Sequence, residues 1–233
     1  MNQGIILVDK PIGWTSFDVV NYIRKIVATK ENKQPKAIKV GHCGTLDPFA
    51  SGLLIILVGK DYTKQAMSLT HLDKVYKFRV VLGKTSNTGD STGEISSISS
   101  FKPNQLDIIK TLECFKGTIY QTPPNYSAIK INGQKAYQLA RSGVNFKLQP
   151  RKVTIHNLKL IKYDYPLVSL EANVSSGTYI RSLASDIGDK LGIGAYVQDL
   201  KRAEIANFKL IDATKLSLIN QDNIEQFFQK TNN

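Results

Sequence analysis

The chain has 233 residues and a formal net charge of +12 at pH 7, with a pI near 9.6, so one or two domains and a polyanionic partner are expected. No apolar run reaches membrane-spanning length, the N-terminus carries no signal pattern, and Cys43 and Cys114 make no disulfide framework, which points to reduced thiols in the cytoplasm. His42, His71 and His156 lie far apart, and neither a phosphate-cradling glycine motif nor a dinucleotide fingerprint is present, so no metal and no cofactor are expected.

In chain order, Ile5 to Val8 predicts a short strand leading into Asp9-Lys10-Pro11-Ile12-Gly13. Thr15-Ser16-Phe17-Asp18 resembles a capping box, and Phe17, Val20, Ile23 and Val27 follow at helical spacing. Residues 29–37 read as a polar, basic loop, and Leu53 to Val58 as a buried strand. Tyr76 to Leu82 alternates, with Tyr76, Phe78 and Val80 on one face. Thr85 to Gly93 is a Gly/Ser/Thr loop, and Leu106 to Phe115 a helix. Asn132-Gly133 signals a hairpin, followed by a short helix stopping near Gly143. Val168, Leu170, Ala172 and Val174 mark another strand, and Ile180, Leu183, Ile187 and Leu191 the apolar face of a helix. Asp222 to Gln229 reads as a terminal helix. Strands outnumber helices and often adjoin one another, which predicts α+β.

Two regions carry candidate chemistry. Residues 33–60 contain one acid, Asp47, in Gly41-His42-Cys43-Gly44-Thr45-Leu46-Asp47-Pro48. Glycines on both sides permit sharp turning, and Pro48 biases Asp47 away from helix. A lone carboxylate is thereby displayed on a stiffened loop in basic surroundings, although Asp-Pro is also an ordinary turn signal. From Phe115 to Tyr163 there is no acid at all, while Lys130, Arg141 and Lys152 stand among nine basic residues interleaved with Tyr120, Tyr126, Tyr137 and Phe146. Cations and rings together suit RNA, whose backbone needs positive charge and whose splayed bases stack. A solvated basic face is the plainer reading. Tyr76 alone suggests a core tyrosine, and Arg181, in the first turn of a helix where a cation opposes the dipole, is either placed for an anion or simply exposed.

Four stretches together resemble the TruB family of bacterial tRNA pseudouridine synthases: Val8-Asp9-Lys10-Pro11-Ile12-Gly13-Trp14-Thr15-Ser16, Gly41-His42 through Asp47-Pro48 to Gly52, Gln121-Thr122-Pro123-Pro124-Asn125-Tyr126-Ser127-Ala128-Ile129-Lys130, and Gly177-Thr178-Tyr179-Ile180-Arg181. The resemblance implies a mixed, largely antiparallel sheet with flanking helices around a catalytic cleft. It implies isomerisation of the uridine at position 55 in the T loop of tRNA, with the base flipped out, by a cytoplasmic enzyme that needs no cofactor and acts as a monomer on the T arm. Residue by residue, Asp47 matches the essential aspartate, Tyr76 the tyrosine stacking on the base, and Arg181 the arginine pairing with the aspartate. His42 and Tyr179 match residues near the RNA, Leu200 an apolar residue under the base, and Lys10 with Pro11 a supporting motif. Residues 123–152 match a thumb over the T loop, which would bring Lys130, Arg141 and Lys152 to the RNA.

Departures also count. Residues 1–233 are expected to be the catalytic domain alone, with the family's C-terminal RNA-binding domain absent or vestigial. Ser51 stands where threonine is usual, and Ala206 where glycine is. An RNA-guided synthase and a non-catalytic RNA-binding protein or chaperone are the alternatives. Asp47 could attack C1′, attack C6 or take the C2′ proton, and the residues do not choose among these.

Overall fold

The computed structural model describes residues 3–229 of the domain expected over 1–233. Two units emerge, Met1–Tyr76 with Leu200–Asn233, and Lys77–Asp199. In chain order the principal elements are β1 (Gly4–Lys10), α1 (Ser16–Lys30), β2 (Val40–Cys43), β3 (Ser51–Val58), β4 (Lys74–Leu82), α2 (Gln105–Glu113), β5 (Gly117–Gln121), α3 (Ala136–Arg141), β6 (Arg151–Asp164), β7 (Leu167–Val174), α4 (Ile180–Lys190) and β8 (Ala195–Ile205). The chain is α+β: its sheet is mixed, largely antiparallel and flanked by helices.

In the first unit β3 is the organising strand. It pairs antiparallel with β1, from Gly4↔Val58 to Lys10↔Gly52, and with β2, and parallel with β8 at Lys201↔Ser51 and Arg202↔Gly52. Leu54, Ile56 and Val58 face a cluster with Val19, Val20, Ile23 and Val27 of α1. Leu53, Ile55 and Leu57 face the other way, toward residues of the short helices Lys60–Thr63 and Ala66–Thr70. Covering both faces is why this strand is apolar at every position rather than alternating. Each such buried side chain contributes about 1.5–3 kcal/mol. Gly52 adopts φ +107°, and a Cβ there would meet the backbone oxygen of Arg202 at 2.4 Å, so the close approach of β3 and β8 requires glycine.

Helix α1 begins with the expected capping box, Thr15 and Asp18 capping each other's backbone. Phe17, however, is exposed: Val19 and Val20 set the buried stripe, and Phe17 falls outside it. The helix also runs through Lys30, further than expected, and Pro35–Ala37 forms a 3-10 turn within the anticipated loop. The expected terminal helix over Asp222 to Gln229 is instead a 3-10 turn, Ile224–Phe227, and a strand, Phe228–Gln229, paired antiparallel with β1. Eight residues make a poor helix in isolation, and burying Ile224 while pairing with an available strand competes successfully.

In the second unit β6 pairs antiparallel with β5 on one side and β7 on the other. Val168, Leu170, Ala172 and Val174 are all buried, as their alternation predicts. The anticipated loop over residues 85–93 starts as a short strand, Lys84–Ser86, paired with Ile95–Ser97. Asn132 and Gly133, at φ 49° and 87°, turn a hairpin between Lys130–Ile131 and Gln134–Lys135.

Candidate active site

The loop from Gly44 to Ala50 links β2 to β3 and carries Asp47, which is partly buried. Backbone groups of this loop are held by three distant residues. The Ser16 hydroxyl, at the start of α1, accepts from Leu46 N–H at 2.9 Å and donates to the Leu46 carbonyl at 3.2 Å. Gly13 N–H donates to the Pro48 carbonyl at 2.7 Å. Arg202, fully buried in β8, donates through Nε to the Leu53 carbonyl at 2.8 Å and through Nη2 to the Gly44 carbonyl at 3.0 Å. A loop whose amides and carbonyls are bonded to rigid elements aims its side chain reproducibly, and catalysis depends on such aim.

Three buried cations surround this loop. Besides Arg202, Lys74 is buried with Nζ donating to the carbonyls of Thr70 and Leu72. Lys10 is fully buried, donating to the carbonyls of Pro11 at 2.8 Å and Trp14 at 2.7 Å. Burial pulls the Lys10 ammonium down to about 8, with the negative charge of Asp47 opposing that fall. Lys74 is likewise lowered to about 8, by burial and then by Arg202. Asp47 and the Lys10 ammonium thus attract one another. The Lys10 ammonium is turned to backbone carbonyls of the segment before α1.

His42 sits in β2, partly buried. Burial, and then Arg202, lowers its pKa below the ordinary value, so the ring is neutral at pH 7. Its Nδ1 has no hydrogen-bond partner among the described residues. Neighbouring Cys43 is buried and its thiol is pushed up to about 11, which leaves it unreactive. Tyr76 and Leu200 are both buried, at 7% and 6% exposure.

In the second unit Arg181 is 4% exposed, which overturns the reading of a free surface arginine. Its Nη1 donates to the Thr88 carbonyl and its Nη2 to the Tyr126 carbonyl, each at 2.9 Å, and Nη1 lies 3.5 Å from Asp90 Oδ2. Asp90 is itself buried and accepts from the Thr88 hydroxyl, the Thr92 amide and the Thr92 hydroxyl. Helix α4 has no side-chain N-cap of its own. Instead, Gln121 grips the peptide at its start: Tyr179 N–H donates to Gln121 Oε1 at 2.8 Å, and Gln121 Nε2 donates to the Tyr179 carbonyl at 3.1 Å. Lys130, Arg141 and Lys152 are exposed. The Tyr137 ring lies between Lys135 and Arg141, at 5.6 and 5.7 Å from its centroid.

The sequence-derived candidates therefore fall into two sets. Lys10, His42, Asp47, Tyr76 and Leu200 belong to the first unit, and Tyr179, Arg181, Lys130, Arg141 and Lys152 to the second. Arg202, Lys74, Asp90 and Gln121 were missed. A signal existed for Arg202: it is two residues from Leu200 in a strand, hence on the same face. Nothing in Thr88-Gly89-Asp90-Ser91-Thr92 marks Asp90 as buried.

This fold recurs in solved structures. The chain is similar to one in a crystal structure of a Cbf5-Nop10-Gar1 complex, with TM-score 0.70 and 28% identity, covering 93% of this chain and 53% of that one. It is similar also to one in an H/ACA ribonucleoprotein bound to a substrate RNA containing 2′-deoxyuridine, with TM-score 0.66 and 26% identity, covering 92% of this chain and 51% of that one. The chain thus spans about half the length of these solved chains. The family match and the curated relatives make this chain a pseudouridine synthase, an isomerase. Residues 25–180 match the TruB family pseudouridylate synthase N-terminal domain, and the chain belongs to that family. It is 42% identical to the tRNA pseudouridine synthase B of Endomicrobium trichonymphae, over 91% of this chain and 89% of that protein. It is 41% identical to the tRNA pseudouridine synthase B of Clostridium acetobutylicum, over 96% of this chain and 74% of that protein.

Proposed function

We propose that this protein converts uridine to pseudouridine in tRNA, at position 55 of the T loop, with Asp47 as the catalytic carboxylate. The observation that carries the reading is the near-complete match to tRNA pseudouridine synthase B proteins at about 40% identity, together with one carboxylate held on a fixed loop among buried cations. The lower identity to the ribonucleoprotein chains favours action on tRNA without a guide.

The reaction breaks the bond from ribose C1′ to uracil N1, turns the ring, joins C1′ to C5 and removes the C5 proton. N1, freed from C1′, gains a proton as C5 loses one, so the atoms balance within the nucleotide. An ionised carboxylate can serve as nucleophile or base, and the Lys10 charge favours that ionised form of Asp47. Extruding the uridine from its stack brings the sugar within reach. Tyr76 and Leu200 sandwich the ring, and the Tyr76 hydroxyl takes the C5 proton. Arg181, oriented by Asp90, Thr88 and Tyr126, orients Asp47, and His42 contacts the RNA. Residues 123–152 act as the thumb, with Lys130, Arg141 and Lys152 meeting phosphates. The protein works as a cytoplasmic monomer. Its two cysteines are unbridged, and no helix among the described residues is long and apolar enough to cross a membrane.

The test is incubation with an unmodified T-arm stem-loop, followed by chemical labelling and nucleoside mass spectrometry. Pseudouridine at the expected position is the outcome, with none from Asp47→Asn at near-parental RNA affinity. Turnover by a clean Asp47→Asn preparation would remove Asp47 from the mechanism.

A further inference from the structure

Between α1 and the segment leading into β2 lies a cleft of about 620 Å³. Arg24, Lys25, Lys36 and Lys39 line it, with Pro35 and Val40, and no acid does. Arg24 is fixed, donating to Asn21 Oδ1 at 2.6 Å and to the Val40 carbonyl at 3.2 Å. Lys25, Lys36 and Lys39 are exposed and make no ion pair among the described residues. Four like charges around one concavity repel one another, a cost that a bound polyanion reverses.

Two elements tie this cleft to the Asp47 loop. Helix α1 starts at Ser16, bonded to Leu46, and reaches Lys25 nine residues later, a rise of about 13 Å. Strand β2 starts at Val40 on the cleft wall and ends at Cys43, about 10 Å further on at about 3.3 Å per residue, where the Asp47 loop begins. Along α1, Phe17, Asn21 and Arg24 fall on one stripe at spacings of four and three. Phe17 is 60% exposed, and the Arg24 guanidinium lies 6.0 Å from its ring centroid. An exposed ring followed by fixed and mobile cations is the arrangement that follows a nucleic-acid strand, stacking bases and neutralising phosphates.

We propose that this cleft binds backbone phosphates of the substrate RNA, a few nucleotides from the uridine that reaches Asp47. Phe17 and Arg24 form the path between them. The inference rests on the RNA-modifying function above and adds a second RNA contact, separate from the thumb.

The experiment compares the parent with the triple variant Lys25→Ala, Lys36→Ala, Lys39→Ala, and with a control triple, Lys84→Ala, Lys110→Ala, Lys190→Ala, at exposed lysines elsewhere. Affinity for an unmodified tRNA transcript is titrated at several salt concentrations, and turnover is measured at saturating RNA. Three lost phosphate contacts at about 0.7 each flatten the salt slope by about 2 and weaken binding about ten- to hundredfold at 0.1 M salt. The control triple should change neither by as much and should keep parental turnover at saturation. The Lys→Arg triple at the same three positions should restore the slope. An unchanged slope, or an equal fall in the control triple, overturns the proposal. Absence of pseudouridine from the parent itself would count against the catalytic reading instead, since binding and turnover are read separately.

Discussion

Ser16 and Leu46 are joined by two hydrogen bonds through a single hydroxyl, one accepted and one donated, so the residue before Asp47 is locked to the first turn of α1. Ser16→Ala leaves a buried amide and a buried carbonyl unpaired. The expected cost is about 1–3 kcal/mol of folding stability, read by urea denaturation. Turnover at saturating RNA should fall together with it, while RNA affinity should hold. Parental turnover in this variant would show that the lock does not matter to the reaction.

Arg181→Lys keeps the charge and loses the planar fork. An ammonium cannot reproduce the bonds to Thr88 and Tyr126 while staying beside Asp90. Because Arg181 is buried, the change should cost about 1–3 kcal/mol of stability as well as most of the turnover. A surface arginine would have cost almost nothing. Turnover within a few-fold of the parent would rule out an orienting role for the guanidinium.

Asp186 lies on α4, where burial and then the charge of Asp189 raise its carboxyl to about 6. The folded state therefore holds a proton that the unfolded state has released between pH 4 and 6, and stability falls as pH rises through that window. Above it the protein carries a partly buried charge. Asp186→Asn should stabilise the protein at pH 7.5 by about 1–2 kcal/mol, allowing for partial exposure, and the gain should vanish below about pH 4. Melting temperatures across that range check the sign. A gain that persists at low pH would mean the carboxyl does not titrate as described.

Ala206 is the first central residue of the two-residue turn between β8 and the strand Phe208–Lys209, and its φ is 47°. That left-handed conformation costs a residue with a Cβ about 1–2 kcal/mol. It explains why glycine suits the position. Ala206→Gly should raise the melting temperature, with a gain near 1 kcal/mol after the extra chain entropy of glycine. A lower melting temperature would mean that the alanine methyl packs usefully in the turn.

Legibility in the sequence followed the range of the interaction. Both the Thr15–Asp18 box and the Asn132-Gly133 turn act within four residues, and both were readable. Strand β3 was readable because covering both faces leaves an unbroken apolar run. Phe17 misled because helical spacing alone does not choose between two overlapping stripes. Burial of cations was not readable. Lys10 satisfies its ammonium on the carbonyls of Pro11 and Trp14, and Arg202 meets Leu53 across 149 positions. The Lys10 bonds span only one and four positions, but the burial that selects them, like the Arg202 pairing, exists only once the strands have assembled. Asp47 stood out for the opposite reason, since a single acid in a basic segment is a local fact.

The bond from Arg202 to Leu53 has a consequence for synthesis. The two residues are 149 positions apart, and β3 gains its parallel neighbour only when β8 exists. At about 5–20 residues per second, Leu53 waits roughly 7–30 seconds on the ribosome for the side chain that steadies it. Through that interval α1 and the strands β1 to β3 can already collapse together, yet the Asp47 loop lacks the Arg202 anchor, one of its three. The nascent chain thus makes its hydrophobic half early and its chemically competent loop late, so a truncated product would be compact and inert.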